Sequence, residues 1–131
     1  MKLLKQFTVI LVCTMLVGCQ KDNNKPQPDK VQISVSSLYN GQVFRKGDTI
    51  HIDGKISYIS SLHGYSIVLK NKQLNKELFT HYEHTHSNEV PFSKSWVNTL
   101  ADSTDLFLVI TGEIDHDGNN GTKELNLVSQ P

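Results

Sequence analysis

Alternation of apolar and polar side chains is the feature that most limits what this chain can fold into. In the stretch DTIHIDGKISY, residues 48–58, the side chains of Ile50, Ile52 and Ile56 fall on one face and polar side chains on the other. A period of two residues is typical of a β-strand with one buried side and one wet side. From residue 31 onward no stretch shows the period of an amphipathic helix, so the sequence predicts an all-β domain.

The alternating pattern divides into seven strand candidates separated by segments rich in turn-forming residues. The candidates are residues 31–35, 48–58, 65–71, 77–82, 89–97, 105–115 and 122–128. The sixth contains LFLVI, which is apolar on both faces and is therefore predicted to lie inside a sheet. Seven short strands in roughly a hundred residues favour an antiparallel, immunoglobulin-like β-sandwich. The expected domain differs from antibody domains because it lacks their cysteine pair, and Trp96 lies on the fifth candidate.

The first residues have the features of an export signal. The chain begins with Lys2 and Lys5, continues with the apolar run FTVILVCTMLV and reaches LVGC at residues 16–19. A charged start, a short apolar stretch and small residues before a cut are typical of a secretory signal. The apolar run is shorter than the roughly 20 residues that a membrane-spanning helix needs. Residues 1–18 are therefore predicted to be a signal peptide rather than a transmembrane anchor.

The LVGC tetrapeptide resembles the lipobox of bacterial lipoproteins, in which the cysteine carries the lipid and becomes the first mature residue. The resemblance implies that Cys19 is lipidated and that the protein is anchored to a membrane without spanning it. Cleavage also removes Cys13, so no disulfide is expected within the mature chain. The rest of residues 19–30, QKDNNKPQPDK, has no apolar residue and predicts a disordered tether.

The start of the tether, Gln-Lys-Asp, resembles the short acidic export tags that send Bacteroidetes lipoproteins to the cell surface; a generic polar linker is an equal alternative. Lipobox, tether and a single sandwich at residues 31–131 together resemble small Bacteroidetes-type lipoproteins with one fibronectin-III-like domain. The resemblance implies a location in the cell envelope, anchored to the outer membrane, on its surface or on its periplasmic side.

The charge balance and the motifs exclude several function classes. The chain has 13 basic and 13 acidic residues, and removal of the signal peptide takes away Lys2 and Lys5. A balance this close to neutral argues against nucleic acid as a partner. Because no G-x-S-x-G motif or other catalytic arrangement is present, no enzymatic activity is predicted.

Histidines supply the candidate site. The segment HYEHTHS, residues 81–87, holds three of the six histidines. Loops of an antiparallel sandwich alternate between its two ends, so the second, fourth and sixth connections share one end. These connections carry the four candidate ligands His63, His84, His86 and His116.

Imidazole nitrogens are ligands for zinc or copper rather than for magnesium. His84 and His86 are two residues apart and could bind one ion together with His63 or His116. Because H-x-x-H-x-H matches no established zinc signature, the alternative is that these are loop histidines bonded to water or backbone.

Carboxylates near the histidines have two interpretations. Glu83 or Asp115 could orient an imidazole by accepting its second N–H. Residues 115–121, DHDGNNG, also follow the opening of an EF-hand loop. Asn120 stands where that loop needs glycine, and Asn126 where it needs a bidentate glutamate, so we expect a glycine-rich turn instead of a calcium site.

These features favour a non-enzymatic, lipid-anchored module that recognises an unknown protein or glycan through its histidine-rich loop end. Two alternatives stay open, a zinc- or copper-binding protein of the envelope and an accessory subunit of an envelope complex. Because the tether precedes the first strand, we expect the histidine-rich end to face away from the membrane.

Overall fold

β-Strands make up more than half of the part of the chain that the structure describes. The computed structural model describes residues 25–131; the predicted signal peptide, Cys19 and the first part of the tether lie outside these residues. The strands are β1 (Gln32–Val35), β2 (Gln42–Arg45), β3 (Thr49–Ser57), β4 (Gly64–Asn71), β5 (Lys76–His84), β6 (Glu89–Val97), β7 (Thr104–Glu113) and β8 (Asn120–Gln130). Within residues 25–131 no helix has the length and apolar character needed to cross a bilayer. The all-β prediction is confirmed.

The eight strands form two sheets with the orders β1-β3-β6 and β2-β8-β7-β4-β5. All pairings are antiparallel except that of β2 with β8, which is parallel. Apart from the short β2, the first, second and fifth strands share one sheet, as strands A, B and E do in immunoglobulin-like sandwiches, and the others include the C, F and G strands. The predicted immunoglobulin-like sandwich is therefore confirmed. β7 lies between β8 and β4, as the two apolar faces of LFLVI predicted.

The core lies between the two sheets, where alternating side chains point inward. Ile50, Ile52 and Ile56 of β3 are fully buried, as are Leu106 and Leu108 of β7. Burial of each such side chain contributes about 1.5–3 kcal/mol relative to leaving it in water. The core holds the strand ends in fixed positions, and these ends carry the loops of interest.

Several predicted boundaries were wrong. β2 was missed because QVFR is only a short edge strand, and its partner β8 lies at the other end of the chain. β5 continues to His84, which therefore belongs to a strand and not to a loop. β7 ends at Glu113, so Asp115 and His116 both lie in the turn before β8.

The chain enters the domain at the histidine-rich end. Pro28–Lys30 form a short 3-10 turn, and the N–H of Gln27 donates to the hydroxyl of Tyr58 at 3.0 Å. The described residues of the predicted tether, 25–30, therefore include a short turn that is bonded to the domain. β1 starts at Gln32, which pairs with Ser57 at the end of β3. The expectation that the histidine-rich end faces away from the membrane therefore loses its geometric basis, because β1 runs antiparallel to β3 and the tether joins the domain at the histidine-rich end.

Candidate metal centre

His63, the residue before β4, is held by backbone hydrogen bonds on both sides. Its N–H donates to the carbonyl oxygen of Glu113 at 2.7 Å, and its own carbonyl accepts from the N–H of Thr85 at 3.1 Å. The next residue, Gly64, pairs with His84 on one side and with Glu113 on the other. His63 is thereby fixed between the ends of β5 and β7.

His84 and His86 lie beside His63 because residues two apart in an extended segment share a face. Their ring centroids are 4.3 Å and 5.9 Å from the centroid of His63. The Nε2 atoms of His84 and His86 are 3.1 Å apart. At this distance one neutral imidazole can donate an N–H···N hydrogen bond to the other. A metal ion bound between the rings would instead accept the lone pairs of both nitrogens.

His116 reaches the cluster from a well-ordered turn. One carboxylate oxygen of Asp115 accepts from the N–H groups of Asp117 and Asn119, and the other accepts from the amide of Asn119 at 2.8 Å. Gly118 has a φ of 86°, a left-handed conformation that favours glycine. Burial raises the pKa of Asp115, but these hydrogen bonds outweigh it and the net pKa is lowered. The turn brings the His116 ring to 3.7 Å from that of His63, centroid to centroid.

Three of the four rings have the spacing of a ligand set. One ligand atom each from His63, His84 and His86 lies within 4.8 Å of the other two. A tetrahedral zinc with Zn–N bonds near 2.0–2.1 Å separates its ligand nitrogens by about 3.3 Å. Binding an ion would therefore draw the three ligand atoms closer together, and two of the three rings are exposed. His116 is in ring contact with His63 but is outside this three-residue set.

The environment of His63 favours the neutral form of its imidazole, which is the metal-binding form. Its Nε2 atom is buried and has no hydrogen-bond partner. Burial is the main cause that lowers the pKa of His63, the neighbouring histidines lower it further, and Glu113 opposes them. A buried imidazole nitrogen without a partner is costly unless something binds it.

The structure adds two residues that the sequence did not single out. A Cβ on Gly64 would lie 2.8 Å from the hydroxyl of Tyr82, so the Tyr82 side chain lies across β4 at this glycine. The pKa of Tyr82 is raised by burial and by the carboxylate of Glu113, which pairs with Gly64. Alternation along LFLVITGE could have indicated Glu113, since it falls on the outer face with Thr111.

Glu83, which the sequence predicted to orient an imidazole of the cluster, contacts Tyr65 and His81 instead. It lies on the opposite face of β5 from His84 and accepts a hydrogen bond from the hydroxyl of Tyr65 at 2.9 Å. Its carboxylate is also 3.4 Å from Nε2 of His81. The hydrogen bond from Tyr65 is the main cause that lowers the pKa of Glu83, and burial raises the pKa of Tyr65 to about 12. The carboxylate of Asp115 likewise bonds to its own turn.

One solved structure that is similar to this chain contains fibronectin(III)-like modules of Clostridium thermocellum CbhA. The TM-score is 0.47 at 12% sequence identity, and the match covers 76% of this chain and 96% of that chain. No family model matches the chain, and no curated protein matches it. The fold assignment therefore depends on the strand order and register described above.

The lowered pKa of His63 predicts a pH-dependent stability of the metal-free protein. Between the ordinary pKa of 6.5 and the lower folded value, the unfolded state binds more protons than the folded state, so acid favours unfolding. The free energy of unfolding, measured with denaturant, should decrease as the pH is lowered from about 7.5 to about 5.5. This decrease should be smaller in His63→Gln than in the wild type. His51→Gln removes an exposed histidine of β3 and should keep the wild-type dependence. If His63→Gln showed the same pH dependence as the wild type, His63 would not be the cause of that dependence.

Proposed function

We propose that this protein is a lipid-anchored domain of the bacterial cell envelope that binds a transition metal ion, zinc or copper, through His63, His84 and His86. The observation that carries the proposal is the convergence of three ligand atoms within 4.8 Å, from the β3–β4 connection, the last residue of β5 and the β5–β6 connection. The buried, unpartnered Nε2 of His63 supports it independently.

The donor chemistry favours these metals. Neutral imidazole suits zinc and copper, whereas calcium and magnesium require several oxygen ligands. The nearby carboxylate of Asp115 accepts hydrogen bonds within its own turn. Glu113 supplies negative charge close to His63 and would stabilise a bound cation.

A second candidate function, recognition of a protein or glycan, uses the same end of the sandwich. Ile59 in the β3–β4 connection is 63% exposed and Tyr82 is 53% exposed. Exposed aromatic and apolar side chains beside a polar site are typical of interaction surfaces. The accessory-subunit hypothesis is less well supported, because the other exposed apolar residues, such as Val43 and Leu74, belong to separate elements.

Metal binding should be stoichiometric and should stabilise the fold. We expect one equivalent of zinc or copper per chain by elemental analysis after equilibration and removal of excess metal. At free metal a hundred times the dissociation constant, the free energy of unfolding should rise by about 2.7 kcal/mol. Replacing His84 and His86 together by alanine should abolish both effects.

His51→Ala is the matched control, because it removes an exposed histidine from the outer face of the other sheet. It should retain the full equivalent of metal. Less than about a tenth of an equivalent in the wild type would reject a tight site.

The lipid anchor at Cys19 is proposed from the sequence. The fold indicates which end of the domain this anchor would hold near the membrane. Gln27 is already bonded to the domain at the histidine-rich end. Seven residues lie between it and Cys19, and this length of chain reaches at most about 30 Å. A lipid on Cys19 would therefore keep the metal site close to the membrane rather than remote from it.

The two cysteines of the sequence allow a matched test of the anchor. Cys19→Ala should release the protein from the membrane fraction of cells, because the lipid could no longer be attached. Cys13→Ala, which changes the predicted signal peptide, should leave the protein in that fraction. Membrane association of Cys19→Ala without detergent would contradict lipid anchoring.

A further inference from the structure

We infer that the metal bound by His63, His84 and His86 keeps a fourth coordination position open to solvent, and that this position takes a neutral nitrogen donor, such as an imidazole, from an outside molecule. The inference rests on the proposed function, since it concerns the same three ligands. It goes beyond that function by making the metal a point of attachment instead of a stored ion.

The first argument is the position of His116. Its ring contacts that of His63, yet it has no ligand atom in the set that His63, His84 and His86 form. The turn that carries it is fixed by the hydrogen bonds to Asp115 and by the hydrogen bond from the N–H of Ile114 to the carbonyl of Asn119 at 2.9 Å. The backbone therefore does not bring His116 inward, and three imidazoles remain.

The second argument is access. His84 and His86 are exposed, while His63 is half-buried with its Nε2 covered. An ion bound to these rings is therefore shielded on the His63 side and reachable on the side of the other two. Three protein ligands with an accessible fourth position are typical of zinc sites that bind water or an outside ligand.

The third argument concerns the charge of the incoming donor. Glu113 pairs with Gly64, the neighbour of His63, and Asp115 and the exposed Asp117 flank His116 in its turn. These carboxylates disfavour an approaching anion and do not oppose a neutral ring nitrogen. The exposed ring of Tyr82, on the same face of β5 as His84, offers an apolar surface beside the site.

The test uses the purified full chain in detergent, loaded with cobalt(II), whose visible absorption reports the number and type of ligands. Titration with free imidazole should change the spectrum to a saturating end point while one equivalent of cobalt stays bound. His116→Ala should bind cobalt equally and reach the same end point. Azide should need about tenfold higher concentration for half-saturation, because the carboxylates repel it.

The outcomes separate this inference from the proposed function. A wild-type spectrum that is insensitive to imidazole, together with an altered cobalt spectrum in His116→Ala, would make His116 the fourth ligand and overturn the open position only. Loss of cobalt to imidazole would also overturn it, since imidazole would then compete with the protein's ligands. Failure of the wild type to bind cobalt, zinc or copper would overturn both proposals.

Discussion

The double pairing of Gly64 is the constraint on which the histidine cluster depends. Gly64 is opposite His84 on β5 and opposite Glu113 on β7, so three neighbouring strands are level at one end of their sheet. His63 precedes this residue and lies between the segments that carry the other rings. Without the level ends, the loops would still share one end of the sandwich, but their imidazoles would not be in contact.

Periodicity predicted the fold because most of the long strands have one buried face, whereas β5 is only partly buried. The candidates correspond to β1 and to β3 through β8, and LFLVI is central as expected. β2 was not predicted because it is a short edge strand whose pairing with β8 is set by tertiary structure. Because β2 precedes β3, it does not change which of the later connections lie at the same end of the sandwich. The alternation of connections between the two ends therefore still predicted that the four histidines lie at one end.

The detailed geometry of the site depends on register, which the sequence does not reveal. The pairing of β4 with β5 shifts at Leu69/Lys70, and a slip of one residue would move His84 to the inner face of the sheet. The same sheet places Glu83 in hydrogen-bonding contact with Tyr65 and pairs Glu113 with the residue after His63. The entry of the chain at the histidine-rich end likewise follows from the pairing of β1 with β3.

The central claim is that imidazoles of His63, His84 and His86 form the first coordination shell of a transition metal. X-ray absorption spectroscopy of the zinc-loaded protein tests it most directly, because it reports ligand type, number and distance. The account predicts three imidazole nitrogens and one further nitrogen or oxygen near 2.0–2.1 Å, about the usual range for zinc. A sulfur ligand near about 2.3 Å, or a shell of oxygen atoms alone, would contradict it.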